Sequence, residues 1–272
     1  MMKHVEINGK KMTYTDQGEG LPVIFAHSFL WSHRQWDPQV AEFSKNYRCI
    51  AVDMWNHGSS DTIDSDEYTL EQLAKDYAAF IEALGIKSCI FVGLSVGGMI
   101  ALHLGLKRPD LFKGLVVCGS YVGAEPNESR AEYLALFETM VKLKFFNGMM
   151  IDKFAPFFFS PKTMAANLPI VGAFKQDLSN IPPQNIPGIF SIGKGIFNRR
   201  DILDQLPQIS VPTLYVVGED DLPRPPEETK IMADKTPESR VAMLADAGHI
   251  CNLENPQDFN KHMAEFLSAY KH

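Results

Sequence analysis

This sequence predicts an α/β fold with a mostly parallel central sheet flanked by helices, and three observations carry that reading. Short apolar runs alternate with longer amphipathic stretches along most of the chain. One aromatic-rich stretch interrupts the alternation between about residues 121 and 200. A glycine-bracketed serine, Gly93-Leu94-Ser95-Val96-Gly97, stands where a strand hands over to a helix.

Leu21–Ala26 and Cys49–Met54 read as buried strands, with helical character from Pro38 to Lys45 between them. From Tyr68 to Leu84, the residues Leu70, Leu73, Ala74, Tyr77, Phe80, Ile81 and Leu84 recur at three- and four-residue steps. That spacing predicts an amphipathic helix closed by Gly85. The strand Cys89–Val92, a helix from Val96 to Leu106 and the strand Gly114–Cys118 follow. The last third repeats the scheme: strand Thr213–Val217, helix Pro225–Ala233, strand Arg240–Leu244 and a closing helix Asp258–Tyr270. Strands alternating with helices imply a parallel sheet covered on both faces. Active residues in such sheets lie on loops at the carboxyl ends of the strands.

The interrupting stretch, Tyr121 to Arg200, holds ten of the 18 phenylalanines in the chain, with Met140, Met149, Met150 and Met164. It reads as a mainly helical insertion over the sheet. The chain has 272 residues, 45% hydrophobic and 22% charged, with a net charge of −7. Without a dense Lys/Arg block, a grip on nucleic acid or anionic lipid is not expected.

The uncharged run from Ile90 to Leu106 is shorter than the ~20 residues of a membrane span and contains Ser95, His103 and four glycines. No membrane span is therefore expected. Met1 to Glu6 lacks the apolar stretch of a secretion signal. Cys49, Cys89, Cys118 and Cys251 form no CxxC pair, which fits reduced core thiols and a cytoplasmic location. No metal-ligand spacing and no GxGxxG appears, so no metal and no cofactor is expected.

A serine hydroxyl is a poor nucleophile unless it is held clear of the backbone beside a base. A tight strand-to-helix turn does this, but it crowds the residues two before and two after, where glycine is favoured. A given serine carries both glycines by chance with a probability of about 0.5%. The base and its orienting acid must come from other strand ends. Gly218-Glu219-Asp220-Asp221 and Ala247-Gly248-His249 each follow a strand, on the same edge as Ser95. An isolated loop histidine is an ordinary surface feature. His249 stands out because it lies after the last strand and before the last helix.

On these motifs the chain resembles the α/β-hydrolase fold family over nearly its full length. The resemblance extends to His27-Ser28-Phe29, where the family usually has His-Gly and a variable residue. It also covers Asp53-Met54-Trp55-Asn56-His57-Gly58-Ser59-Ser60, similar to the family's Asp-x-x-Gly-His-Gly-x-Ser loop. Trp36-Asp37-Pro38-Gln39 and Gly93 to Met99 are most similar to the 3-oxoadipate enol-lactonase-like proteins and related carboxylesterases.

The resemblance implies a helical cap at 121–200, inserted after the sixth strand of a core formed by 1–120 and 201–272. It implies Ser95 as nucleophile, His249 as base and Asp221, rather than Asp220, as acid, because Pro225-Pro226 follows at the family's spacing. The backbone N–H groups of Phe29 and Val96 would form the oxyanion hole. Asp53 and His57 resemble loop-bracing residues. Ser28 departs from the family's usual glycine, although a His-Ser is also found in this subgroup, and it either braces its loop or adds a donor.

The expected reaction is acyl transfer to Ser95, then hydrolysis by water that His249 activates, on a small-molecule ester or lactone. Haloalkane dehalogenases and epoxide hydrolases of this fold are similar but need a carboxylate at position 95. Perhydrolysis or C–C bond hydrolysis on the same triad, and a ligand-sensing protein with little turnover, stay open as alternatives. An enol-lactone with a free carboxylate needs a cation in its pocket. The cations on offer in the insertion are Lys142, Lys144, Lys153, Arg199 and Arg200, residue types that usually sit solvated at the surface. The Phe and Met enrichment, including Phe157-Phe158-Phe159, favours neutral, apolar esters or lactones if some of it lines the pocket.

Overall fold

The computed structural model describes residues 2–146 and 148–270. The chain opens with the hairpin β1 (Lys3–Ile7) and β2 (Lys10–Gln17), continuing through β3 (Pro22–Ala26), α1 (Asp37–Phe43), β4 (Arg48–Val52) and α2 (Leu70–Ala83). Next come β5 (Cys89–Leu94), α3 (Val96–Lys107) and β6 (Phe112–Cys118). Five helices then run without a strand: α4 (Asn127–Leu143), α5 (Gly148–Phe158), α6 (Pro161–Ala166), α7 (Pro169–Ser179) and α8 (Ile186–Phe197). The chain closes with β7 (Thr213–Gly218), α9 (Pro226–Lys235), β8 (Ser239–Leu244), α10 (Cys251–Glu254) and α11 (Pro256–Ser268).

The eight strands form one sheet in the order β1-β2-β4-β3-β5-β6-β7-β8. β1 and β2 are antiparallel to each other, and β2 is antiparallel to β4; every other pairing is parallel. β5 and β7 are buried along their whole length, as parallel strands covered on both faces must be. α1 packs against α11, and α2 against α3, supplying that cover.

The hairpin is absent from the sequence reading, although its turn carries a signal. Asn8 and Gly9 both adopt positive φ, 53° and 76°, the two-residue turn whose twist suits a hairpin. The helix expected from Tyr68 starts at Leu70 because Thr69 caps it. The Thr69 hydroxyl accepts from Gln72 N, and the Gln72 side chain accepts from Thr69 N. Such a cap contributes roughly 1 kcal/mol. The four cysteines are buried and unpaired. Among the described residues no helix is long and apolar enough to cross a membrane.

Candidate active site

Ser95 occupies the corner between β5 and α3 with φ 57° and ψ −117°, a strained conformation that neighbouring structure must hold in place. The flanking glycines are sterically required. A Cβ on Gly93 would overlap the Gly97 carbonyl, and one on Gly97 would overlap the carbonyl of Ala26 at the end of β3. Ser95 N donates to Cys118 O at 2.8 Å, and Ser120 Oγ donates to Ser95 O at 2.8 Å. The corner is thus fastened to the end of β6.

His249 and Asp221 come from loops after β8 and β7 that are stitched together. Glu219 N donates to Leu244 O at 3.0 Å and Asp220 N to Ala247 O at 2.9 Å. His249 Nδ1 lies 3.0 Å from both carboxylate oxygens of Asp221, and Arg224 N donates to Asp221 Oδ1 at 3.0 Å. An ionised carboxylate only accepts, so Nδ1 carries the proton and Nε2 is left as an acceptor. Both side chains are buried, whereas Asp220 is exposed. Glu254 accepts from Gly248 N, just before His249, and from Ser160 N, just after α5. The histidine loop is thereby tied to the helical stretch above it.

Val96 directly follows Ser95, and Phe29 lines the same cavity as Ser95. Val96 opens α3, so its N–H has no acceptor in the preceding turn. Phe29 N has no hydrogen-bond partner among the described residues.

The loop carrying Ser28 to Leu30 is braced from below, as the family resemblance implied for Asp53 and His57. His27 Nδ1 donates to Ser28 O at 2.7 Å while its Nε2 accepts from Met54 N at 2.9 Å. His57 Nδ1 donates to Trp55 O at 2.8 Å and its Nε2 accepts from Leu30 N at 3.2 Å. Asp53 binds His33 through both the backbone N and Nδ1, at 2.8 and 2.9 Å. Burial, with repulsion from His57, pushes the His27 pKa down to about 3, and burial pushes that of His57 down to about 4. Burial works against the charged forms of Asp53 and His33. Their mutual hydrogen bond outweighs it, lowering the Asp53 pKa and raising that of His33.

Ser95, His249, Ser28 and Phe29 line one cavity of about 70 Å³. The helical stretch closes it with Phe137, Phe154, Phe157, Phe158 and Phe197, and α3 adds Met99. Phe159, the third of the triple phenylalanine, does not line it; it packs on Trp31 and Phe174, as Phe158 also does.

Lys142, Lys144, Lys153 and Arg200 are exposed, and none of them lines this cavity. Arg199 departs from the expectation of a solvated surface cation: it is buried, donating to Glu125 Oε2 at 2.8 Å and Gly123 O at 2.8 Å. The cation that does reach the cavity is Arg224, which sequence reasoning missed. Its guanidinium donates to Glu125 Oε2 at 2.6 Å and faces Glu228 at 3.4 Å. Burial opposes ionisation of Glu125, but Arg224 and Arg199 together hold its pKa below the usual carboxylate range. Among the described residues no cluster of three or more His, Cys, Asp or Glu could hold a metal.

The α/β-hydrolase fold family profile matches residues 22–256. The chain is similar to 3-oxoadipate enol-lactonase 1 of Acinetobacter baylyi, with 27% identity covering 97% of this chain and 92% of that protein. Among solved structures it resembles a thermophilic esterase from Thermogutta terrifontis, with a TM-score of 0.89, 27% identity and 98% of each chain covered. It also resembles Est816, described as an N-acyl homoserine lactone degrading enzyme, with a TM-score of 0.81 and 29% identity, covering 97% of this chain and 100% of that one. With the sheet order and the serine corner already in place, these matches lead to one conclusion: the chain belongs to the α/β-hydrolase fold family.

Proposed function

We propose that this hydrolase cleaves carboxylic esters or lactones of small to medium apolar substrates through an acyl-Ser95 intermediate. The carrying observation is that a strained serine and an aspartate-held histidine line one aromatic cavity. Residues 121–200 act as a cap over a core of 1–120 and 201–272.

Ser95 Oγ attacks the acyl carbon while its proton passes to His249 Nε2, and Asp221 stabilises the resulting imidazolium. The oxyanion rests on the N–H groups of Phe29 and Val96. Collapse expels the alkoxide, which takes the proton from His249. A water then gives its proton to His249 as it attacks the acyl-enzyme, and collapse returns that proton to Ser95 Oγ. Acid, alcohol and free enzyme result; for a lactone, acid and alcohol stay in one molecule.

Two features support the substrate class. The cavity of about 70 Å³ is walled mainly by apolar side chains, phenylalanines above all, which suits an apolar acyl chain. Its charged member, Arg224, is already neutralised by Glu125 and Glu228, which favours neutral substrates over carboxylate-bearing ones.

The test is turnover of p-nitrophenyl esters from acetate to hexanoate. Each buried methylene is worth about 0.8 kcal/mol, so kcat/KM should rise up to about fourfold per carbon until the cavity fills. A flat or falling series, together with fast hydrolysis of a lactone carrying a free carboxylate, would overturn the substrate assignment.

A further inference from the structure

Ser28 lies in the loop that follows β3, two residues beyond Ala26. The side chain is fully buried, and Ser28 Oγ has no hydrogen-bond partner. Its backbone is fully engaged: Ser28 N donates to Gln35 Oε1 at 2.8 Å, and Ser28 O accepts from His27 Nδ1 at 2.7 Å and from Trp31 N at 3.1 Å. The loop is therefore already fixed by its main chain, and the hydroxyl braces nothing.

A buried hydroxyl without a partner costs stability, and such groups call for an explanation in function. Unpartnered buried side-chain atoms also occur on Trp31, Trp36, Asn56, Tyr77, Ser191 and Arg199. Among the described residues, Ser28 is the one of this set that lines the cavity shared by Ser95 and His249. It directly precedes Phe29, whose N–H is also unpartnered.

We propose that Ser28 Oγ–H is a third oxyanion donor, hydrogen-bonding the tetrahedral intermediate beside the N–H groups of Phe29 and Val96. The inference rests on the acyl-Ser95 reading. No proton changes owner at Ser28: the hydroxyl donates a hydrogen bond to the oxyanion as it forms and loses it when the carbonyl returns. The hydroxyl has no acceptor within the protein and is free to turn towards the oxyanion, and the bond strengthens as negative charge develops there in the transition state.

The experiment compares parent, Ser28→Ala, Ser28→Gly and Ser95→Ala on p-nitrophenyl butyrate. Each variant is also tested for thermal unfolding and for inhibition by a trifluoromethyl ketone, which forms a hemiketal oxyanion on the nucleophile. Ser28→Ala should lower kcat about hundred- to thousandfold, leave KM within about twofold, and weaken the ketone by a factor similar to the loss in kcat. Its Tm should equal or exceed the parent's, because an unsatisfied buried hydroxyl has been removed. Ser28→Gly should show the same kinetic loss.

A parent-like kcat and ketone affinity in folded Ser28→Ala would overturn the proposal, as would a lowered Tm without a kinetic change. Turnover that survives Ser95→Ala would instead overturn the underlying acyl-Ser95 reading, and the third-donor role with it.

Discussion

His249 presents Nδ1 equally to the two oxygens of Asp221, 3.0 Å from each. The neighbouring Asp220 is exposed and contributes only its backbone N–H to the loop, donated to Ala247 O at 2.9 Å. The two adjacent carboxylates therefore differ sharply in consequence. Asp221→Asn should lower kcat by about three to four orders of magnitude, since an amide no longer selects the tautomer or stabilises the imidazolium. Asp220→Asn should change kcat by less than about twofold. Steady-state kinetics on one ester decides this, and the reverse ranking would place the acid one residue earlier.

Gly119 directly follows β6 with φ 46°, and a Cβ there would come within 2.9 Å of Asp221 Oδ2 and 3.2 Å of His249 Nδ1. Gly119→Ala should therefore displace the pair while the sheet survives. We expect kcat to fall about tenfold or more, with a stability loss of roughly 1–3 kcal/mol from the strained φ. Parent-like kcat in the folded variant would show that the pair tolerates the methyl.

Glu125 is the shared counter-ion of two buried guanidinium groups, Arg199 and Arg224, at 2.8 and 2.6 Å. Glu125→Gln leaves two like charges facing each other out of water. It should destabilise the protein by about 3–5 kcal/mol, seen as a lower denaturant midpoint at pH 7.5. A loss below about 1 kcal/mol would mean that water or Glu228 replaces the missing charge.

The loop-bracing histidines make stability pH-dependent. His27 and His57 are held neutral in the folded protein, with pKa values of about 3 and 4, against the 6.5 of a free side chain. Below pH 6.5 the unfolded chain binds protons that the folded chain refuses. Their contribution is complete above pH 6.5 and is lost as pH falls towards 4, at up to about 1.4 kcal/mol per pH unit for each. His33, raised by Asp53, acts in the opposite sense: its contribution is present at low pH and lost as pH rises through its folded pKa. Urea unfolding at pH 7.5 and 5.0 should show a lower midpoint at pH 5.0, and His57→Gln should flatten the difference. A parent midpoint that rises on acidification would contradict neutral burial of these rings.

What could be read from the sequence follows from how local each cause is. The serine corner was legible because Gly93 and Gly97 answer a clash within five residues. The loops carrying Asp221 and His249 were legible because a parallel sheet gathers its strand ends on one edge, whereas the choice of Asp221 over Asp220 rested on the family resemblance. The hairpin went unread despite Asn8-Gly9. The Arg224–Glu125 contact joins positions 99 apart, and no local pattern announces such a pairing. Arg199 was misjudged for the same reason, since burial of a cation depends on a distant partner. The triple phenylalanine could not be apportioned from sequence: Phe157 and Phe158 line the cavity, Phe158 and Phe159 both pack on Trp31, and Phe159 does not reach the cavity. The substitution at Ser28 was visible, but whether its hydroxyl had a partner was not.

The most direct measurement is covalent labelling of Ser95 by a fluorophosphonate, read by intact mass and peptide mapping alongside ester turnover. The parent should take up one equivalent on Ser95. Ser95→Ala should remain unlabelled with its fold intact and lose about a thousandfold or more in turnover. Labelling of Ser95→Ala at the parent rate, or turnover that survives the substitution, would contradict Ser95 as the nucleophile.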